Sequence, residues 1–415
     1  MRGFSSLPRR RRRAVLGGGL ALAAIAGFGV YNAAVGGGDQ PLNVDFVLGG
    51  GDDIFGKGGT LAIQGSYEGL AAASDNTLYL FTQENDGMAM WRRKPSGAVK
   101  RIPISGMDTV TAQQAAVARD GSVYLAADDL WKVSAAGKAT KVINGRCKSP
   151  DPRVTVAGKF CAGQITGVAL ADDGSLYIGD QVNRDDVASY VHKVDGDSIE
   201  LVAGRPPKDG ETYKPSNPAV KNGINPSPDT KAKDVLVTDS FNSGWLASGK
   251  DGLYWRTGRG IVRINGDGTL SPVVSAAAPK KITEANGPFE SVGRAADATI
   301  PRHASGGTRG DLTLVPGRDE LYFSDAGSSL KPSLDGAYGW RGASSAPQKK
   351  LIEESSGGKL VHRVADGELS PAIAGVQAIA GSPDALYAAV EAEPAHEDRS
   401  PEEWTTAVVR VELPD

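Results

Sequence analysis

The amino-acid sequence predicts an all-β fold, a six-bladed β-propeller, and three recurring features carry that expectation. A Leu-Tyr or Val-Tyr pair returns six times along the 415 residues. A turn signal stands just before each pair. A basic residue, usually followed by Val or Ile, comes some way after it.

The first column is Leu78-Tyr79, Val123-Tyr124, Leu176-Tyr177, Leu253-Tyr254, Leu321-Tyr322 and Leu386-Tyr387, so six of the eleven Tyr occupy one repeated position. The turn signals include Asp75-Asn76, Asp120-Gly121, Asp173-Gly174 and Asp251-Gly252. A short apolar run precedes each, as in Gly167-Val168-Ala169-Leu170-Ala171. This is strand, tight turn, strand. The second column is Trp91-Arg92, Trp131-Lys132-Val133, His192-Lys193-Val194, Val262-Arg263-Ile264, His362-Arg363-Val364 and Val409-Arg410-Val411. Most copies run on through a Gly turn into a fourth short strand, as Gly137 leads to Thr140-Lys141-Val142-Ile143. Each unit therefore reads as a four-stranded antiparallel meander. The Tyr-to-Tyr separations are 45, 53, 77, 68 and 65 residues. The shortest suits a blade with small loops, and the others require insertions. Four strands repeated six times favour a propeller over a solenoid.

The sixth unit reaches Val411-Glu412-Leu413 without a fourth strand. Asp45-Phe46-Val47-Leu48-Gly49-Gly50, near the other end, resembles Glu200-Leu201-Val202-Ala203-Gly204, the fourth strand of unit three. Pairing residues 43–48 with the last unit would close the ring and remove two exposed sheet edges.

Ahead of the ring, residues 1–13 end in the basic run Arg9 to Arg13, and an apolar stretch follows over 14–35. Those 22 residues would span about 33 Å as a helix, enough to cross a bilayer core of about 30 Å. The basic run marks the cytoplasmic side, so the body is expected outside the inner membrane. Arg12-Arg13-Ala14-Val15-Leu16 also resembles a twin-arginine export signal. Whether the stretch is a retained anchor or a cleaved signal stays open, since Ala24-Ile25-Ala26 and Ala34-Val35-Gly36 are both small-x-small sites. Residues 36–42 form a linker, and 43–415 form the propeller. The formal net charge of −3 conceals an asymmetry, because removing the six Arg of residues 1–35 leaves −9 on the remainder. An acidic body argues against a nucleic-acid or anionic-lipid surface. Gly supplies 54 residues, about twice the usual share and suited to many tight turns.

These columns resemble the NHL-repeat propellers, whose unit runs Gly-Val-Ala-x-Asp-x-x-Gly-x-Leu-Tyr-Ile-Ala-Asp before a basic strand ending in Val. Gly167 to Asp180 matches that pattern best, and Leu321-Tyr322-Phe323-Ser324-Asp325 keeps its second half. The resemblance implies the fold over about residues 43–413 and, through extracellular NHL sensor domains, a binding role. It does not imply one activity.

In such a meander the A–B and C–D turns lie at one end and the B–C and D–A connections at the other. Here the long segments are D–A (144–164, 205–243, 275–310) or B–C (180–189, 324–358, 390–404), so all are expected to project from one face. Long loops on a rigid scaffold are the usual place for recognition. Cys147 and Cys161 fall in one of them, and a disulfide between them is expected outside the membrane.

Signals for catalysis are sparse. Lactonase-like propellers hold a divalent metal on the axis with Glu, Asn and Asp, and the corresponding ring here reads Glu68, Gln113, Thr166, Ser243, Asp311 and Val376. Glu68, Gln113 and Asp311 could offer oxygen ligands to Ca²⁺, but the ring lacks Asn. His192 and His362 share one repeat column and read as structural. Trp340, in a polar loop, is a candidate to stack on a sugar or peptide. The expectation is therefore a membrane-tethered or secreted extracytoplasmic propeller that binds a protein, peptide or cell-envelope glycan on its long-loop face. The alternative is a calcium-dependent lactonase-like hydrolase or lyase at the axis.

Overall fold

Every Tyr of the first column stands directly opposite the basic residue of the second. Tyr79 pairs with Arg92, Tyr124 with Lys132, Tyr177 with Lys193, Tyr254 with Arg263, Tyr322 with Arg363 and Tyr387 with Arg410. Directly opposed residues of an antiparallel pair share a face at about 5 Å between Cβ atoms, close enough for a basic stem to cover a ring. Lys132 Nζ lies 5.4 Å from the centre of the Tyr124 ring. The two columns are one cross-strand pair seen twice in the sequence.

The structure is a computed structural model. It describes residues 42–53, 57–108, 110, 112–147, 151–182, 188–207, 226–227, 229–237, 243–258, 260–275, 293–298, 300, 311–324, 331–332, 334, 340–392 and 404–413. Arg12, Arg13, the apolar stretch 14–35 and Asp325 lie outside these residues. Among the described residues no helix is long and apolar enough to cross a membrane. The chain divides into Met1–Gln40 and Pro41–Asp415, and all the blades belong to the second unit.

Six antiparallel sheets form the blades, each running A to D from axis to rim. Blade 1 is Ser66–Ala72, Leu78–Glu84, Gly87–Arg93 and Val99–Pro103. Blade 2 is Gln114–Val117, Val123–Ala127, Asp129–Val133 and Ala139–Ile143. Blade 3 is Ile165–Leu170, Leu176–Val182, Ala188–Asp195 and Ser198–Ala203. Blade 4 is Ser243–Gly249, Gly252–Thr257, Ile261–Ile264 and Leu270–Val274. Blade 5 is Leu312–Val315, Glu320–Ser324, Lys359–Ala365 and Glu368–Val376. Blade 6 takes Ala378–Gly381, Leu386–Ala392 and Thr405–Val411 from the chain's end and Leu42–Gly49 as its fourth strand. The expected closure is therefore present, with Val44 opposite Val411 and Phe46 opposite Val409. Asn43 Nδ2 donates to Glu412 at 2.7 Å, which fixes the junction.

Hydrophobic packing lies between blades. Tyr79 joins Val123 and Leu125 across blades 1 and 2, and Tyr124 joins Val168 and Leu176 across blades 2 and 3. Tyr177 joins Leu246 and Leu253, Tyr254 joins Leu312 and Leu321, and Tyr322 joins Ile379 and Leu386. Tyr387 joins Leu70, Leu78 and Leu48 where blade 6 meets blade 1. Each column Tyr is thus the apolar wedge that a blade drives into its successor. Blades 3 and 4 approach closely enough that a Cβ on Gly167 or Gly179 would run into the Gly244 carbonyl. These are two glycines of the best-matching repeat, and space is the reason for them.

The chain order bears out that A–B and C–D turns are short and that long connections are B–C or D–A. The expectation that they all project from one face needs correction. The described parts of the D–A connectors lie back against the outer wall and bond to the C–D turn of the next blade. Ser105 bridges Lys138, Val156 bridges Ser198, Lys231 bridges Thr269, and Gly293–Arg294 pairs with Leu369 and Glu368. A D strand is an edge with unpaired N–H and C=O groups, and the connectors satisfy some of them where the strand begins. Trp340–Arg341 does the same for Leu42 and Asn43, as a parallel strand outside blade 6.

Segment 324–358 reads as an irregular loop, yet Ala346–Glu353 is a helix. Its start was legible: Ser345 Oγ accepts from the Gln348 N–H, Gln348 Oε1 accepts from the Ser345 N–H, and Pro347 lies in the first turn. This is a capping box. Leu351 and Ile352 anchor the helix in the core between blades 5 and 6.

Cys147 and Cys161 form the expected disulfide, with Cα atoms 5.8 Å apart. The Asn144 to Cys161 bridge and a Cys147 N–H bond to the Ala162 carbonyl at 2.9 Å pin the same loop base. Cys161→Ser is expected to cost about 3 kcal/mol, read as a lower denaturation midpoint with unchanged strand content. Equal midpoints for the variant and the oxidised parent would contradict it.

Candidate functional site

The inner strands enclose a cavity of about 830 Å³ on the propeller axis. Its mouth is formed by A–B turns, including Ser74-Asp75, Arg119-Asp120, Asp172, Ser248 and Ser382-Pro383. Its wall is made of small and aliphatic residues, among them Gly69, Ala115, Val168, Ala247 and Leu312. Gln113, Gln114 and Asp311 lie at the deep end, where the inner strands begin. The cavity is a funnel whose mouth lies at the short-turn end, opposite the long connections.

Gln114 crosses the axis. Its Nε2 donates to the Leu246 carbonyl at 2.6 Å and to the Leu312 carbonyl at 2.9 Å. Its Oε1 accepts from the Val168 and Leu246 N–H groups, each at 3.0 Å. One amide from blade 2 thus satisfies backbone groups on the inner edges of blades 3, 4 and 5. Gln113, the residue the repeat alignment favours, stands one position before Gln114. The signal was in the next column: Gly69, Gly167 and Gly244 occupy the position of Gln114 in three other units. Their missing side chains leave the axis open to one long amide.

The other expected site residues do not converge. Gln113 is half-buried and lines the funnel, as does Asp311. Glu68 is buried in blade 1, accepts from Ser66 Oγ at 3.2 Å and is not part of the lining. Val376 is no inner-strand residue at all: it ends the D strand of blade 5, opposite Lys359. Trp340 is fully buried, and its indole N–H donates to the Ala374 carbonyl at 2.8 Å. It packs with Leu351 and Ile373 and presents no surface for stacking. A Gly/Ser-rich setting hid that, because the residues burying Trp340 come from distant strands. His192 and His362 are buried against Phe160 and Phe323, as structural residues would be.

A divalent metal does not fit the residues described. Lys359 Nζ stands 3.7 Å from Asp311 Oδ2 and donates to the Gln377 carbonyl at 3.1 Å. Both charged side chains are more than nine-tenths buried. A fixed ammonium beside Asp311 already balances its charge, and a second cation there would be repelled. Among the described residues no three of His, Cys, Asp and Glu stand together as a metal set. Asp180, which matches the family's repeated Asp, accepts from the Gly163 N–H at 2.8 Å and so holds the entry to blade 3.

At the mouth, Asp120 accepts from the Ser122 hydroxyl and N–H at 2.5 and 2.9 Å. The Ser122 bonds, with help from Lys132, bring its carboxyl down from 3.8 to about 2. A depressed carboxyl stabilises the fold above its unfolded value and loses that effect as pH falls through the folded one. The blade 2 turn is therefore expected to loosen between pH 4 and 2. Asp120→Asn should flatten that part of the stability profile, and a variant profile parallel to the parent's would contradict it.

No family model matches the chain, and no curated protein matches it. Among solved structures, one match is a protein of unknown function from Bacteroides thetaiotaomicron. It is 12% identical, covers 88% of this chain and 75% of that one, and has a TM-score of 0.44. A calcium-binding protein, regucalcin, from Agrobacterium tumefaciens is 10% identical over 90% and 97% of the two chains, at 0.43. A gluconolactonase from Xanthomonas campestris is 12% identical over 91% and 98%, at 0.41. All-β architecture and six blades follow from the strand order of this chain itself.

Proposed function

We propose that this chain is an NHL-like, extracytoplasmic binding propeller that receives a protein or peptide element at the mouth of its axial funnel. The funnel floored by Gln114 carries this reading: it is a large blind recess with a polar rim and a small-residue wall. Concave sites of this size with few fixed polar groups suit binding. The location outside the cytoplasm is supported by Arg12-Arg13, by the apolar stretch 14–35 and by the Cys147–Cys161 disulfide. On this reading the 14–35 stretch tethers the propeller to the inner membrane.

The test is site-directed photo-crosslinking in intact cells, with the reactive residue at position 119, on the funnel mouth, or at position 349, on the helix of the opposite rim. A discrete adduct from position 119 alone supports the funnel. An adduct from position 349 alone moves recognition to the long-connection rim. Thermal unfolding with calcium separates the alternative: a calcium-dependent rise lost in Glu68→Ala would establish the lactonase-like reading in place of this one.

A further inference from the structure

The acidic net charge of the propeller hides a basic hairpin. The C and D strands of blade 1 and the turn between them carry Arg92, Arg93, Lys94, Lys100 and Arg101, with no carboxylate between Gly87 and Pro103. Arg92 stands directly opposite Lys100. Like charges opposed across a strand pair repel, so the Arg92–Lys100 pairing itself is unfavourable, although Arg92 also faces Tyr79 on its other side. Arg101 is neutralised by Glu84 and Asp86, at 2.7 and 2.6 Å. Among the described residues Arg92, Arg93, Lys94 and Lys100 have no ion-pair partner. Lys94 and Lys100 are exposed, and all four lie within two residues of the turn Lys94–Ala98 or in it.

That turn lies at the A–B and C–D end of the ring. Leu42 enters the propeller at the same end, because its strand takes the place of a D strand and runs down from there. Only residues 36–41 separate it from the apolar stretch, a reach of about 20 Å. Blade 3, two positions round the ring, shows the opposite sign at this end, with Asp172, Asp173, Asp195 and Asp197 all exposed. A surface of negative charge would draw in blade 1 and push blade 3 away.

We propose that the blade 1 hairpin, through Arg92, Arg93, Lys94 and Lys100, docks on anionic phospholipid headgroups and tilts the propeller on the membrane. This rests on the tethered reading above. Each lysine near such a surface contributes about a fivefold gain in partition, screened by salt.

The test is co-sedimentation of the full chain with phosphatidylcholine vesicles, with and without phosphatidylglycerol, together with amide exchange at residues 92–101. Binding to neutral vesicles reports the 14–35 stretch, and its absence would tell against the tether alone. Arg9 to Arg13 also meet anionic headgroups, so the hairpin is reported by the share of the phosphatidylglycerol increment that the hairpin substitutions remove. The expected result is an increment that salt abolishes, protection confined to the hairpin, and a loss of about 25-fold in Lys94→Gln/Lys100→Gln. Lys349→Gln/Lys350→Gln, with the same change in net charge, should keep the increment. No increment, or equal loss in both variants, would overturn the proposal. So would hairpin protection by soluble polyphosphate or an acidic peptide and not by anionic vesicles, which would assign the surface to that partner.

Discussion

Gln114→Ala is expected to cost about 3 kcal/mol of stability, far more than its half-buried position suggests. The substitution removes no apolar packing of consequence. It strips partners from the Leu246 and Leu312 carbonyls and from the Val168 and Leu246 N–H groups. Each backbone group left unpaired in a buried setting costs about 1–3 kcal/mol, reduced where water can replace the lost partner. The funnel admits water, which is why the expected total falls below the sum of four full penalties. Gln114→Glu is the sharper test. A carboxylate can still accept from the two N–H groups but turns an oxygen toward the two carbonyls, so its loss should equal or exceed that of Ala. Denaturant midpoints decide this. Parent-like values for both variants would mean that the amide only decorates the axis.

The second large effect concerns ring closure. Removing Leu42–Gly49 would expose the rim-side edge of Thr405–Val411 and unroof Val408, Val409 and Val411, which are at most 1% exposed. An apolar edge of this kind recruits other chains, so a chain beginning at residue 50 is expected to aggregate on expression. Leu48→Ala tests the same contact within a folded protein. Leu48 is fully buried between Leu78, Ala389 and Val408, so the cost should fall at about 2–5 kcal/mol. A soluble, monomeric chain from residue 50 with native strand content would show that five blades and a three-stranded sixth suffice.

Both effects bear on how the sequence encodes the site. The blades were legible because each is built from residues near in sequence: a turn signal, a Tyr, and a basic residue some 8 to 41 positions later that becomes its cross-strand neighbour. The closing strand was legible because it copies the pattern of Glu200–Gly204. The disulfide was legible from two cysteines in one loop. The axial residues were not. Gln113 and Gln114 are adjacent in sequence, and only the second meets three other blades. Asp311 reads as a free metal ligand until Lys359, 48 positions on, is found at 3.7 Å. Trp340 reads as exposed until the strands on either side of it bury it.

The sequence alone determined the number of blades, their internal register and the element that shuts the ring, since hydrophobic alternation and turn chemistry act over a few residues. Tertiary structure alone decided which end of the axis holds the funnel, which amide spans it and where the connectors lie. Those outcomes depend on groups from separate blades, which become neighbours only when the last strand brings the two ends of the ring together.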